Sequence, residues 1–198
     1  MDQVTKGGPL PRRDAVAELL KDRKDLLVVT GLGSPSYDVM AAGDHDSNYY
    51  LWAAMGSAVT VGFGLAMAQP KRPVLVLTGD GEVMMGVGAL ASIAVKQPKN
   101  LTIAVLDNGH FGETGMQESH AGRGIAIDRV AASMNFPHTA CITDMNGVAA
   151  LRDRLDAKDG LRLAVLKIRP GNEKRVLPSR DGVHIKNRFR AALGFQPI

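Results

Sequence analysis

The stretch from Val74 to Asn108, VLVLTGDGEVMMGVGALASIAVKQPKNLTIAVLDN, limits the folds open to this chain more than any other. It holds two runs of branched apolar residues, Val74 to Leu77 and Leu101 to Leu106. A pattern of small residues at helical spacing joins them, from about Gly86 to Lys96. Continuous apolar runs joined by a helix mark neighbouring parallel strands buried on both faces. The first run ends at Gly79-Asp80-Gly81 and the second at Asp107-Asn108. Ligands of open α/β sheets bind outside the carboxyl ends of the strands. The pattern therefore predicts Asp80 and Asn108 side by side at one edge, ready to hold something cationic.

The rest of the chain repeats the alternation. Residues 1–10, polar with glycines and a proline, read as a loose N-terminal segment. Arg12 to Lys24 carries Ala15, Val16, Leu19 and Leu20 at helical spacing. Leu26 to Val29 reads as a buried strand, which runs into the glycine and serine turn Thr30 to Ser36. Asp44 to Asn48 reads as a polar loop, and Ser57 to Ala68 as a helix buried all round. Gly109 to Gly124 is a long glycine-rich segment without hydrophobic period. Such a loop inside an α/β domain is usually a functional lid or disordered. Asp128 to Met134 reads as a short helix, and Thr139 to Ile142 as a strand. Asn146 to Ala157 follows as a helix capped by Asn146, Leu161 to Ile168 as the last strand and Ile185 to Leu193 as a short helix. The order βαβαβ predicts one doubly wound α/β domain over residues 11–198, its mainly parallel central sheet covered by helices on both faces.

Composition narrows the setting. With 198 residues the chain suits one domain with a sizeable core. The net charge is only +4. Much of it lies in Lys174, Arg175, Arg180, Lys186, Arg188 and Arg190, read as a solvated basic tail. Without aromatic interleaving or a recognition motif, nucleic acid is not expected. The single cysteine, Cys141, allows no internal disulfide and fits a reducing compartment. No early apolar segment reads as a signal peptide and no stretch reads as a membrane span, so the expected setting is cytoplasmic.

Two glycine patterns imitate a dinucleotide fingerprint and fail on position. Gly31-Leu32-Gly33 follows a strand but has Ser36 where the third small residue belongs. Gly86 to Ala91 fits the spacing, yet Gly79 to Met85 separate it from its strand, where the fingerprint must open directly. It reads instead as a closely packed small-residue helix.

The combination of strand, Gly79-Asp80-Gly81, helix, strand and Asp107-Asn108, with Asn108 28 positions beyond Asp80, resembles the diphosphate-binding motif of thiamine diphosphate enzymes. That motif usually ends in Asn-Asn, and here its second, metal-binding member is kept. The resemblance implies a Mg²⁺ ion held by the Asp80 carboxylate, the Asn108 amide oxygen and the backbone carbonyl of His110, sharing its shell with diphosphate oxygens. An all-oxygen set suits this hard cation. A helix beginning after Gly81 would add free N–H groups and the positive end of its dipole. Ala53-Ala54-Met55-Gly56 resembles the family's stretch in which an apolar side chain bends the cofactor. Met55 is the matching residue, and the Ala53 carbonyl would face the aminopyrimidine. Thr30 to Ser34 matches the first phosphate loop more loosely, through Gly31 and Ser34. Asn108-Gly109-His110-Phe111-Gly112-Glu113-Thr114-Gly115-Met116-Gln117 resembles a loop of phosphonopyruvate and sulfopyruvate decarboxylases, with a related one in 2-oxoacid:ferredoxin oxidoreductases. Met116 replaces a common second glycine, and Glu113 adds a charge where a small residue is usual. Leu177 to Phe189 also resembles the decarboxylase tail. The cofactor-contacting residues implied are thus Gly31, Ser34, Ala53, Met55, Gly79, Asp80, Gly81, Glu82, Asn108, His110, Phe111 and Gly112.

Thiamine diphosphate enzymes also need a pyrimidine domain carrying an activating glutamate, and this chain has room only for the diphosphate domain. The resemblance therefore implies a hetero-oligomer with a separate pyrimidine-domain subunit. Neither Glu82 nor Glu113 reads as the activating group. The reaction implied is decarboxylation of a small anionic 2-oxo acid, with the cofactor as electron sink. The alternatives are a subunit of a 2-oxoacid:ferredoxin oxidoreductase, an acetolactate-synthase-like carboligase, or a non-catalytic binding subunit. With one cysteine, the first could not hold a four-cysteine cluster itself. The histidines show no metal-ligand spacing. His45 and His120 fall in loops expected at the ligand edge and are the candidates for proton handling. His138 reads as structural, and Arg123 as either a contact for an acidic substrate or a solvated charge.

Overall fold

The computed structural model describes residues 7–52 and 55–196. In chain order the elements are α1 (Arg12–Leu20), β1 (Leu27–Thr30), α2 (Ser34–Ala41), β2 (Asn48–Tyr50), α3 (Ala58–Ala68), β3 (Val74–Gly79), α4 (Asp80–Met85) and α5 (Gly88–Lys96). They continue with β4 (Leu101–Asp107), β5 (His110–Phe111), β6 (Gln117–Glu118), α6 (Ile127–Ser133), β7 (His138–Ile142), α7 (Met145–Arg154), β8 (Arg162–Lys167) and α8 (Gly182–Ala192).

Six strands form one sheet in the order β2-β1-β3-β4-β8-β7, and every neighbouring pair is parallel. The sequence pattern explains this. β3 and β4 are buried almost end to end, so their side chains must find apolar cover on both faces. Alternate residues divide between two cores. Leu75 and Leu77 join Val16, Leu19 and Val148 under α1 and α7, whereas Val74 and Val76 join Leu90, Ile93 and Ala131 under α5 and α6. Each such Leu, Val or Ile contributes about 1.5–3 kcal/mol relative to exposure. The strand order reverses between β1 and β3, because the chain steps outward to β2 before returning. A crevice at the carboxyl ends of β1, β3 and β4 is the place such a reversal leaves open.

Several elements differ from the sequence reading. The loose N-terminal segment is packed at residues 7–10. The Gly8 N–H donates to the Ile168 carbonyl at 2.8 Å, and Leu10 is buried and bridges Ile168. Residues 1–6 lie outside the described residues. A short strand, β2, begins at Asn48, inside what reads as a polar loop. Helix α3 is not buried all round, since Met67 is 51% exposed. Its neighbours are all apolar, so periodicity could not show which face meets water. The helix expected from about Gly86 to Lys96 is α5, and a further short helix, α4, precedes it, separated from it at Gly86 and Val87. There Gly86 crosses Gly56 so closely that a Cβ on Gly86 would lie 2.0 Å from the Gly56 carbonyl oxygen. The cap of α7 is Asp144, not Asn146; its carboxylate accepts from the Gly147 N–H at 2.8 Å. The basic tail is partly tied down rather than solvated: Arg188 is salt-bridged to Asp44, and Arg175 to Glu113. Among the described residues no helix is long and apolar enough to cross a membrane.

Candidate functional site

The crevice at the strand reversal is a cleft of about 110 Å³. That is smaller than the ~300 Å³ of a cavity enclosing a whole small molecule. Ser34, Met55, Gly79, Asp80, Gly81, Glu82, Asn108, His110, Phe111 and Gly112 all line it. Of the residues named from the sequence, Gly31 stands just behind the wall, and Ala53 lies outside the described residues.

Asp80 opens α4 directly from the end of β3 and is 2% exposed. Its carboxylate accepts a hydrogen bond from the Ser119 hydroxyl. Burial, helped by the nearby Asp107 charge and opposed by Ser119, pushes its pKa up to about 6. It has no salt-bridge partner among the described residues. A buried carboxylate without a counter-charge is the group a cation would complete.

Asn108 and His110 supply oxygens beside it. The Asn108 Oδ1 accepts the His110 N–H at 2.9 Å. The small β5–β6 hairpin directs the His110 carbonyl. In an antiparallel pair only alternate residues exchange hydrogen bonds. Ser119 N–H donates to the Gly109 carbonyl at 2.8 Å, and His110 pairs with Glu118 in register. His110 therefore occupies a non-bonded position. Its backbone groups face away from β6, on the side of the Asn108 amide. The imidazole folds back, with Nδ1 2.8 Å from the Asn108 carbonyl oxygen, so that nitrogen is engaged within the loop. One carboxylate, one amide and one carbonyl form an oxygen-only set that fits Mg²⁺. Among the described residues no cluster of three or more His, Cys, Asp or Glu could hold a metal in the ordinary side-chain manner.

Asp107, the first member of the pair, points elsewhere. Its carboxylate takes Lys167 Nζ at 2.7 Å and the Gly109 N–H at 2.9 Å. Lys167 lies opposite it in the β4–β8 register. The aspartate where asparagine is usual thus comes with its own counter-charge.

Contacts across the glycines explain the motif spacing. The Phe111 ring lies on Gly81, where a Cβ would come within 2.3 Å of it. Glu82 reaches back to the β1–α2 turn: its Oε2 accepts the Leu32 N–H at 3.1 Å and fills the place of a Gly31 side chain. Burial raises the Glu82 carboxyl. Gly31 and Glu82 therefore act as a pair that ties the first loop to the Gly-Asp-Gly helix. Gly56, at φ +91°, turns the chain so that Met55 faces the cleft. Met116 has φ +60°, which explains why glycine is common at that place.

Other expectations change. His45 lies just before β2, at the amino ends of the strands, on the opposite edge from the cleft. Its Nδ1 accepts the Ser47 N–H at 3.0 Å. The Asp44 to Asn48 loop enters β2, which runs parallel to β1, so it meets the amino ends of the strands rather than the expected ligand edge. His120 is at the correct edge but stands edge-on behind Phe111, 6.3 Å between ring centres, and does not line the cleft. Arg123 pairs with Glu118 at 3.3 Å. Glu113 lines the cleft, folds over Gly33 and meets Arg175 at 2.8 Å, with Arg175 also 5.7 Å above the Tyr37 ring. The sequence reading missed Arg12, Ser119 and Lys167. Only Lys167 carried a signal, as a charge ending a buried strand at the ligand edge.

Fold and site together define a parallel-sheet domain with a cleft at its topological switch, lined by oxygen donors of a kind that suits a hard cation. Residues 36–175 match the family model described as the thiamine pyrophosphate enzyme, C-terminal TPP binding domain, and the chain belongs to that family. It is similar to the sulfopyruvate decarboxylase subunit beta of Methanothermobacter thermautotrophicus, 35% identical over 91% of this chain and 94% of the relative. It is similar also to the phosphonopyruvate decarboxylase of Streptomyces viridochromogenes, 35% identical over 94% of this chain but only 47% of the relative. The chain thus spans about half of that longer enzyme. In fold it matches a thiamin diphosphate-dependent enzyme of Mycobacterium smegmatis, with TM-score 0.71 and 18% identity over 85% of this chain and 34% of the other.

Proposed function

We propose that this chain is the diphosphate-binding subunit of a split thiamine diphosphate- and Mg²⁺-dependent 2-oxo acid decarboxylase, acting in the cytoplasm with a separate pyrimidine-domain subunit. The observation that carries it is the convergence of Asp80, Asn108 and the His110 carbonyl in a cleft that leaves one side of a ligand uncovered. The relatives support the substrate class, small 2-oxo acids bearing a second anionic group, and the word subunit supports the partner.

When bound, thiamine diphosphate supplies the nucleophilic carbon and the electron sink for decarboxylation. This chain's part is to bind and orient. The Asp80 carboxylate, the Asn108 amide oxygen and the His110 carbonyl would hold the Mg²⁺ that accompanies the diphosphate. Gly81 and Glu82 set the floor, and Met55 supports the ring end. Phe111 and the hairpin close the loop side and exclude water. The activating glutamate belongs to the partner, because Glu82 is engaged with Leu32 and Glu113 with Arg175.

The test is reconstitution. The assembled pair should decarboxylate 3-sulfopyruvate or phosphonopyruvate only with both thiamine diphosphate and Mg²⁺. Turnover by this chain alone would refute the split architecture. The only cysteine, Cys141, is exposed and free, so an iron–sulfur cluster could not rest on this chain. Turnover that required ferredoxin would favour the oxidoreductase reading.

A further inference from the structure

We infer that Arg12 is a second cation of this site, an oxyanion-binding residue whose guanidinium receives the outer phosphoryl group of the bound diphosphate. The inference rests on the reading of the cleft as a thiamine diphosphate site.

Arg12 lines the cleft and among the described residues is the one arginine or lysine to do so, sharing the lining with the acidic Asp80, Glu82 and Glu113. It is 5% exposed. Its Nε is salt-bridged to Asp38, which is fully buried, and its Nη1 donates to the Gly171 carbonyl at 3.3 Å. Among the described residues its Nη2 has no hydrogen-bond partner. The guanidinium is thus fixed on one side and open on the other.

A structural tie between α1 and α2 does not need this arrangement. Arg13 already binds the other oxygen of Asp38, with Nε and Nη2 both at 3.3 Å. Asp38 is therefore shared between two guanidinium groups, Arg13 part-exposed and Arg12 buried, and the outer edge of Arg12 stays open to the cleft. The diphosphate end of the ligand is the anion that this open edge would receive. It carries more negative charge than one divalent cation beside the Asp80 carboxylate neutralises. A planar guanidinium with a free edge suits two phosphate oxygens. Among the described residues the rest of the cleft lining has no other arginine or lysine.

The same chemistry would serve the sulfonate or phosphonate of a substrate, and the experiment separates the two. Cofactor affinity is measured by fluorescence titration of the assembled two-subunit complex with Mg²⁺, using thiamine diphosphate and thiamine monophosphate. Substrate KM is measured in parallel at saturating cofactor. The variants are Arg12→Lys, and Arg12→Met combined with Asp38→Asn so that no buried carboxylate is orphaned. Asp38→Asn alone controls for the lost tie. We expect the double variant to weaken thiamine diphosphate binding on the order of tenfold to a hundredfold. Monophosphate binding should change little, so the preference for diphosphate collapses. Arg12→Lys should restore part of it, and Asp38→Asn alone should keep it. An unchanged cofactor affinity with a KM raised tenfold or more would overturn the diphosphate assignment and move the residue to the substrate. No change in either would overturn the inference altogether. Asp80→Ala run alongside separates the two levels of failure. Loss of binding there with an indifferent Arg12 sinks only this inference, whereas retained binding in Asp80→Ala sinks the cofactor reading beneath it.

Discussion

At the scale of single residues, Asp80 trades stability for function. Its carboxyl has a pKa near 6 in the folded chain against an ordinary 3.8, so the folded state holds the proton more tightly than the unfolded state. The resulting cost is absent below about pH 4, grows as pH rises through 6 and is constant above that. Asp80→Asn should therefore stabilise the metal-free chain at pH 7 by about 1–3 kcal/mol, with no gain at pH 3.5. Urea unfolding at the two pH values reads this directly. The same substitution should abolish Mg²⁺-dependent cofactor binding in the complex. Met116 is a second case. Its left-handed φ stores strain, and Met116→Gly should relieve up to about 1 kcal/mol, visible as a higher denaturant midpoint with an unchanged slope. These residues stood out in the sequence for different reasons. Asp80 carried its role in its neighbours, glycine on each side after a buried strand. Met116 showed only as a departure from a common glycine, and its φ gives the cause.

At the scale of elements, the site depends on contacts between strands and turns that are remote in sequence. Asp107 and Lys167 face each other across the β4–β8 pair. Lys167→Met should destabilise the chain by about 3 kcal/mol, since it leaves a buried carboxylate unpaired. Adding Asp107→Asn should recover most of that loss in a double-mutant cycle. Purely additive losses would mean that the pair is not coupled. The crossing of Gly56 over Gly86 fixes where Met55 stands. Gly86→Ala has backbone on its far side and cannot relax by side-chain movement. It should cost about 1–3 kcal/mol by overcrowding and weaken cofactor binding by displacing Met55. The central strands are legible as apolar runs such as Val74 to Leu77, whereas the short edge strand β2 is not. The β5–β6 hairpin was not. Gly109 to Gly124 has no hydrophobic period, and its order comes from Ser119 reaching Asp80, Phe111 lying on Gly81 and Gly122 packing on Gly109.

At the scale of the whole molecule, the cleft opens towards a surface that this chain does not cover. On the proposed split architecture, the isolated chain should bind thiamine diphosphate with Mg²⁺ on the order of tenfold or more weakly than the assembled complex, because the partner's wall of the site is missing. Calorimetric titration of each form tests this, and equal affinities would mean that the chain holds the whole site itself. The sequence by itself determined the parallel α/β architecture, the sheet edge at which the cleft lies and the oxygen-bearing residues that line it. Those rest on local signals: apolar runs, glycines at turns, and polar side chains placed where strands stop. Tertiary structure alone decided that His45 stands at the far edge, that Ser119 and Lys167 steady the acidic pair, and that Arg12 enters the cleft. Each of these depends on which strand lies beside which. Pairing in a parallel sheet follows from long crossovers and shared burial, and no short stretch of sequence encodes it.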